Sequence, residues 1–210
     1  MINRSISNPG IFKILDTNSN EVYFGGSQEW YGKEWQRVSG CGPTAASNII
    51  FYLNRIHNVF KLGKNLNIKE NWLAFMEEIW NYVTPSKNGI PSVEMFCDKM
   101  LVYAGLQKIT LQYYCCNLPE DKNMRPKMFE VLTFIEKGLA KDVPVAFLNL
   151  CNGGEKNLEK WHWVTVISLD YTEDKKSIFL YILDGGIVKK IDLVLWYATT
   201  TQGGGFVYFV

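Results

Sequence analysis

Apolar positions recur along this chain in two different periods. Short runs at 11–15 and 21–24, either side of the turn-rich stretch 16–20, predict two brief strands. An aromatic loop carrying Trp30, Tyr31 and Trp35 follows. From Cys41 to about His57 the apolar residues Ala45, Ile49, Tyr52, Leu53 and Ile56 repeat at intervals of four, three, one and three, the signature of an amphipathic helix. Gly40 and Gly42-Pro43-Thr44 mark its first turn. Helical spacing returns over 68–82, with Trp72, Phe75, Met76, Ile79 and Trp80 on one side, and over 92–104, which Gly105 ends.

Beyond Gly105 the character changes. The pattern predicts a strand at 106–116, a helix at 126–139, a buried strand at 143–150, strands at 162–171, 177–184 and 204–210, and a weaker one near 187–192. A mostly helical first half and a mostly extended second half predict an α+β fold of two lobes. The helical lobe would cover about 25–105. The sheet lobe would cover about 106–210 with the N-terminal strands added. No linker or repeat divides residues 1–210, so a single domain is expected.

Charge changes the picture mainly by exclusion. Twenty-two Lys and Arg against 21 Asp and Glu leave no electrostatic reason to expect a nucleic acid or an anionic membrane as partner. The N-terminus lacks the apolar core of a secretory signal, and no apolar run approaches the roughly 18 residues of a membrane span. Five cysteines, Cys41, Cys97, Cys115, Cys116 and Cys151, form no CxxC pair and cannot all pair within one chain. Reduced thiols and a cytoplasmic location are expected. Two histidines 105 positions apart give no metal-ligand cluster, and the Gly-Gly stretches lack a phosphate-binding pattern, so no metal or cofactor is predicted.

The segment Gln36-Arg37-Val38-Ser39-Gly40-Cys41-Gly42-Pro43-Thr44 carries the candidate chemistry. A thiol in the first turn of a helix lies beside unsatisfied N–H groups and the positive end of the macrodipole, which favour thiolate. The glycines on either side would let a substrate carbonyl approach the sulfur. Gln36, five positions earlier, has an amide that can donate to an oxyanion, with Gln28 as a weaker candidate. A cysteine nucleophile needs an imidazole. His57 lies sixteen residues along the same helix, about 24 Å away along the axis, which leaves His162. His162 opens a strand that a polar turn joins to the strand ending at Asp184. If Tyr171 pairs with Ser177, Asp184 faces Val164 on the side His162 shares, where its carboxylate can hold the second ring nitrogen.

Together Gln36, Gly40-Cys41-Gly42-Pro43-Thr44-Ala45, His162-Trp163-Val164 and Asp184 resemble the papain-like cysteine peptidases. The similarity is greatest to the branch whose members cleave leader peptides after a double glycine. The resemblance covers about thirty residues at three places. It implies a papain-like fold with Cys41 as nucleophile, His162 as base and acid, Asp184 as orienting acid and Gln36 as oxyanion donor. The expected function is hydrolysis of a peptide or amide bond through an acyl-thioester on Cys41, with a peptide or amide as the partner. Two other readings use the same residues: acyl transfer to an amine, as in transglutaminase-like enzymes, and a catalytically silent papain-like binding protein.

Overall fold

The computed structural model describes residues 1–63 and 65–210. The chain runs through β1 (Ile2–Ser5), β2 (Lys13–Leu15), β3 (Val22–Phe24), α1 (Glu34–Ser39), α2 (Cys41–His57), α3 (Lys69–Trp80) and α4 (Val93–Leu106). It continues through β4 (Tyr113–Leu118), α5 (Met128–Ala140), β5 (Val145–Asn149), β6 (His162–Tyr171), β7 (Ile178–Asp184), β8 (Ile187–Asp192), α6 (Leu193–Thr199) and β9 (Gly204–Phe209). The fold is α+β. Its main sheet is antiparallel, in the order β4-β9-β5-β6-β7-β8, and β1 adds a seventh strand beside β6. β2 and β3 form a separate hairpin. Among the described residues no helix is long and apolar enough to cross a membrane.

Four differences from the sequence pattern have physical causes. Polar residues Asn3, Arg4 and Ser5 gave β1 no strand signal; its order comes from pairing with β6, Ile2 opposite Tyr171 and Ser5 opposite Ser168. The aromatic loop contains the short helix α1, which Gly40 joins to α2 without leaving helical φ and ψ. The strand expected at 106–116 begins only at Tyr113, since α4 extends through Leu106. Short α6 is capped by Asp192, whose carboxylate accepts the Leu195 N–H at 2.9 Å.

The helix α2 is buried on all sides from Gly42 to Leu53, rather than along one stripe. β6 covers one side. On another, Phe51 meets Trp72 of α3 edge-on at 4.5 Å between ring centroids. Buried polar residues on such a helix need internal partners. Asn48 finds two: its Oδ1 accepts the Gly26 N–H at 3.0 Å, and its Nδ2 donates to Thr165 Oγ1 at 3.2 Å. One amide thus ties the helix to the loop after β3 and to β6. The helix ends where Asn58 turns left-handed (φ 53°) and returns its N–H to Asn54.

The hairpin β6–β7 carries a one-residue irregularity. At its closed end Tyr171 lies opposite Ile178, not Ser177, which corrects the expected register by one residue. Between Val166 and Ser168 the register shifts, and beyond it Thr165 lies opposite Leu183. The bulged residue, Ile167, offers its carbonyl to the Ile6 N–H at 3.1 Å and to the Ser5 hydroxyl at 3.3 Å. It also marks the place where β6 exchanges β5 for β1 along that edge. The shift brings Asp184 opposite Val164, as the sequence argument required, by way of a bulge that argument did not contain.

Replacing Asn48 by the similarly sized Leu strands the Gly26 N–H and the Thr165 hydroxyl in the core. Asn48→Leu is expected to cost about 2–4 kcal/mol of stability, read as a lower urea midpoint with an unchanged slope.

Candidate active site

Cys41 is the first residue of α2. Neither neighbouring glycine opens a path to it. A β-carbon on Gly40 would strike the Tyr31 ring and the Gln36 carbonyl, and one on Gly42 would strike Ile90 at 2.7 Å. These glycines let α1, α2 and the segment before α4 pack closely, which corrects the reading that they clear an approach for substrate. The Cys41 sulfur lies 4.0 Å from the carbonyl oxygen of Trp161, the residue before His162.

His162 starts β6 and is buried. Its Nε2 lies 2.7 Å from Asp184 Oδ1, leaving Nδ1 as the nitrogen that can meet Cys41. Asp184 is also buried, and its second oxygen accepts from Lys189 Nζ at 2.6 Å. The turn that makes this possible is Gly185-Gly186, with φ of 62° and 79°. Two successive positive φ values form a tight hairpin, so Asp184 faces Ile187 and Lys189 falls diagonally within reach.

The electrostatics follow from burial and partners. Burial alone would push the His162 imidazole toward its neutral form; the hydrogen bonds and charges of Asp184 and Cys41 more than offset this and push its pKa up to about 10. Burial likewise acts to raise the Asp184 pKa, but His162 and Lys189 hold it below the ordinary carboxylate value. The favoured state near neutral pH is an imidazolium held by a carboxylate, with a sulfur beside it.

A narrow crevice joins these groups. Its volume is about 10 Å³, and Gln28, Cys41, Asn48, His162 and Asp184 line it. That is room for about one water-sized atom. Gln28 Oε1 is buried without a hydrogen-bond partner. The same side-chain amide carries an N–H₂ that can serve as a donor. Gln36 does not line this space. It lies on α1, and five residues of helix carry it about 140° around the axis from Cys41. Gln28, the weaker sequence candidate, lines the crevice. The loop that carries Gln28 is fixed by the Gly26–Asn48 bond and by the Phe24 N–H, which donates to the Gly186 carbonyl just beyond Asp184 at 2.7 Å.

Sequence reasoning missed Asn48 and Lys189. Asn48, flanked by Ala45-Ala46 and Ile49-Ile50-Phe51 in the helical run, could have signalled the first, and the two-glycine turn, by fixing the register, the second. His57 remains at the far end of α2, with Nε2 2.8 Å from the Asp142 carbonyl oxygen. Cys151 stands apart from the crevice: bonds from the Thr201 hydroxyl and from nearby backbone N–H groups lower its pKa to about 7. Among the described residues no group of three or more His, Cys, Asp and Glu is placed to hold a metal ion.

No protein-family model matches the chain, and no curated protein matches it. Among solved structures it is similar to the crystal structure of UfSP from C. elegans, with a TM-score of 0.55 and 13% sequence identity. The match covers 99% of this chain and 34% of that one, so the chain spans about a third of that protein's length. The likeness is one of fold, and it is in keeping with the α+β architecture described above.

Because the folded-state pKa of His162 lies above its unfolded value, protonation favours the fold. The contribution is complete below about pH 6.5 and is lost as pH rises through about 10. With only two histidines, the His162 signal is assignable by NMR. It is expected to titrate near pH 10 in the wild type and at clearly lower pH in Asp184→Asn, where burial is opposed by Cys41 without the carboxylate. The variant should also lose the extra decline in Tm between pH 7 and 10. Titration at the same pH in both proteins would contradict the ion-pair description.

Proposed function

We propose that the protein is a cysteine-dependent hydrolase of peptide or amide bonds, with Cys41 as nucleophile. The observation that carries this reading is the single crevice lined by Cys41, by the buried His162–Asp184 pair and by Gln28. The coarse likeness to UfSP is in keeping with it, and so is the resemblance of the Cys41 and His162 segments to papain-like peptidases.

In this mechanism Cys41 supplies the nucleophilic sulfur and the protonated His162 stands beside it. The sulfur attacks the substrate carbonyl carbon, and the carbonyl π pair moves onto oxygen. The Gln28 amide donates to that oxyanion in a crevice large enough for one such atom. As the tetrahedral centre collapses, the C–N bond breaks and His162 gives its proton to the departing amine. Water then enters; His162 takes its proton as the water oxygen attacks the thioester carbon. Collapse releases the carboxylic acid and restores the sulfur to its pairing with imidazolium. Asp184 keeps the ring oriented and stays ionised throughout, while Lys189 fixes the carboxylate.

An amine entering in place of water would give acyl transfer by the same steps. The two are separated by analysing products with an added amine. No observation at the site favours the amine.

Cys41→Ala is expected to lower kcat/KM on any peptidyl amide the wild type cleaves by roughly 10⁴-fold or more. Gln28→Ala should lower kcat by about 10²–10³-fold with little change in KM, as the loss of a transition-state donor requires. An active Cys41→Ala protein would end this account. In thiol-labelling versions of the test Cys151 should first be replaced by Ser, because its lowered pKa makes it a competing thiolate near neutral pH.

A further inference from the structure

The strand β4 forms one edge of the main sheet, with β9 and β5 between it and the strand of His162. We propose that this edge pairs antiparallel with the same edge of a second copy of the chain, about a two-fold axis at Cys115, so that the two sheets run on as one. The proposal stands apart from the hydrolase reading and does not need it.

The backbone sets the geometry. Gln112 exchanges two hydrogen bonds with Val210, which fixes the alternation along β4. Gln112, Tyr114, Cys116 and Leu118 turn their N–H and C=O groups to β9, whereas Tyr113, Cys115 and Asn117 turn theirs outward. Among the described residues no backbone partner meets those outward groups. The opposite edge is protected: β8 carries Lys189 and Lys190, and Asn157 Nδ2 donates to the Lys190 carbonyl at 2.8 Å. From Tyr113 to Leu118, β4 has no charge, proline or bulge. A two-fold at Cys115 sets that residue opposite its own copy and Tyr113 opposite Asn117, so every outward group is paired. A centre at Tyr114 would leave Asn117 out. One at Cys116 would set Tyr113 against Pro119, which has no N–H.

The side chains on the α5 face are self-complementary in the same register. Tyr114 stacks on Tyr208 with 5.1 Å between ring centroids, and Phe134 of α5 lies 5.1 Å from the same ring. A groove of about 490 Å³ runs between β4 and α5 past Cys116, Phe129 and Phe134. Pairing about Cys115 places Tyr114 of each copy opposite Cys116 of the other, beside that groove. The fit is reciprocal, as a two-fold interface requires. Tyr113, Tyr114 and Phe129 are 41%, 44% and 53% exposed in the single chain, and the pairing covers all three.

Charge agrees on this face. Glu130 and Lys137 border the groove about two turns apart on α5, Lys137 beside Gly138, where a β-carbon would strike the Tyr208 ring. The two-fold reverses the second groove, so Glu130 of each copy faces Lys137 of the other. The α4 face opposes association. Glu94, whose carboxylate takes the Asn117 amide, and Asp98 one turn on come toward the same acids of the copy.

Sedimentation velocity over about 1–300 μM should show the average mass climbing toward twice that of the chain. Cys115→Pro and Tyr113→Pro each remove an outward N–H and leave the β9 ladder intact. With far-UV circular dichroism unchanged, each should raise the dimer Kd at least about tenfold, as the loss of two hydrogen bonds requires. Lys137→Glu should raise Kd about two- to fivefold and Asp98→Asn should lower it by a similar factor. The axis holds the two Cys115 α-carbons about 5.5 Å apart, so a bismaleimide with a two-carbon spacer should join them. That product should persist in Cys116→Ser and vanish in Cys115→Ser. A monomer throughout the concentration range would overturn the proposal and leave the edge to a different partner. A dimer that neither proline variant weakens, or cross-links that map away from Cys115, would overturn it as well.

Discussion

Side chains alternate across a strand, so a slip of one residue in pairing moves every partner to the opposite face. The contact between His162 and Asp184 is exposed to that rule, because the two residues lie on neighbouring strands near the end remote from their connecting turn. With the register of the closed end carried through unchanged, Asp184 would lie opposite Thr165 and face away from the imidazole. The bulge at Ile167 inserts the extra residue that prevents this. What holds the bulge is the first strand of the chain: Ile6 and Ser5 donate to the Ile167 carbonyl while β1 pairs with the remainder of β6. Residues at the N-terminus, with no contact to the crevice, thereby fix which face the carboxylate occupies.

A second constraint is the burial of charge. A carboxylate and an imidazolium removed from water are costly, and removing either partner alone would leave the other uncompensated. The arrangement satisfies both Asp184 oxygens, one from His162 and one from Lys189, and leaves a ring nitrogen directed to the sulfur side. Lys189 is less buried than the pair it supports, so its own ammonium keeps some contact with water. The polar burial at Asn48 differs in kind. It carries no charge and joins the three segments that bear Cys41, Gln28 and His162, so that relative placement becomes a property of the core.

Much of this was legible in sequence wherever local chemistry decides the outcome. Periodicity located α2, α3, α5 and the strands β5 to β9 to within a few residues, because their apolar faces lie directly in the core. Elimination isolated His162, since the rise of a helix separates His57 from Cys41 whatever the fold. Gln36 and Gln28 could not be ranked that way. Which amide faces the crevice depends on α1 being helical and on the Gly26–Asn48 bond, and no local pattern announces either. The glycines beside Cys41 were misread for the same reason: the groups that fill their missing side chains, Tyr31 and Ile90, come from other parts of the chain. The hairpin register was inferred without the bulge, whose cause is a strand more than 160 residues away in sequence.

The two cavities bordered by Cys41 differ in size. One is scarcely larger than an oxygen atom and takes in Cys41, His162 and Asp184; the other, about 190 Å³, sets Trp35, Trp161 and Trp163 beside Ser39, Lys87 and Asn88. On the function proposed above, a group seated in the larger would displace water next to the sulfur, and a lower local dielectric strengthens polar interactions inside the smaller. Trp161 is the physical link between them: its ring belongs to the larger cavity, its carbonyl lies beside the sulfur, and the next residue is the imidazole itself. A strained backbone at that one position, where φ is 55°, is therefore well placed to couple what is bound to how the reacting groups are set.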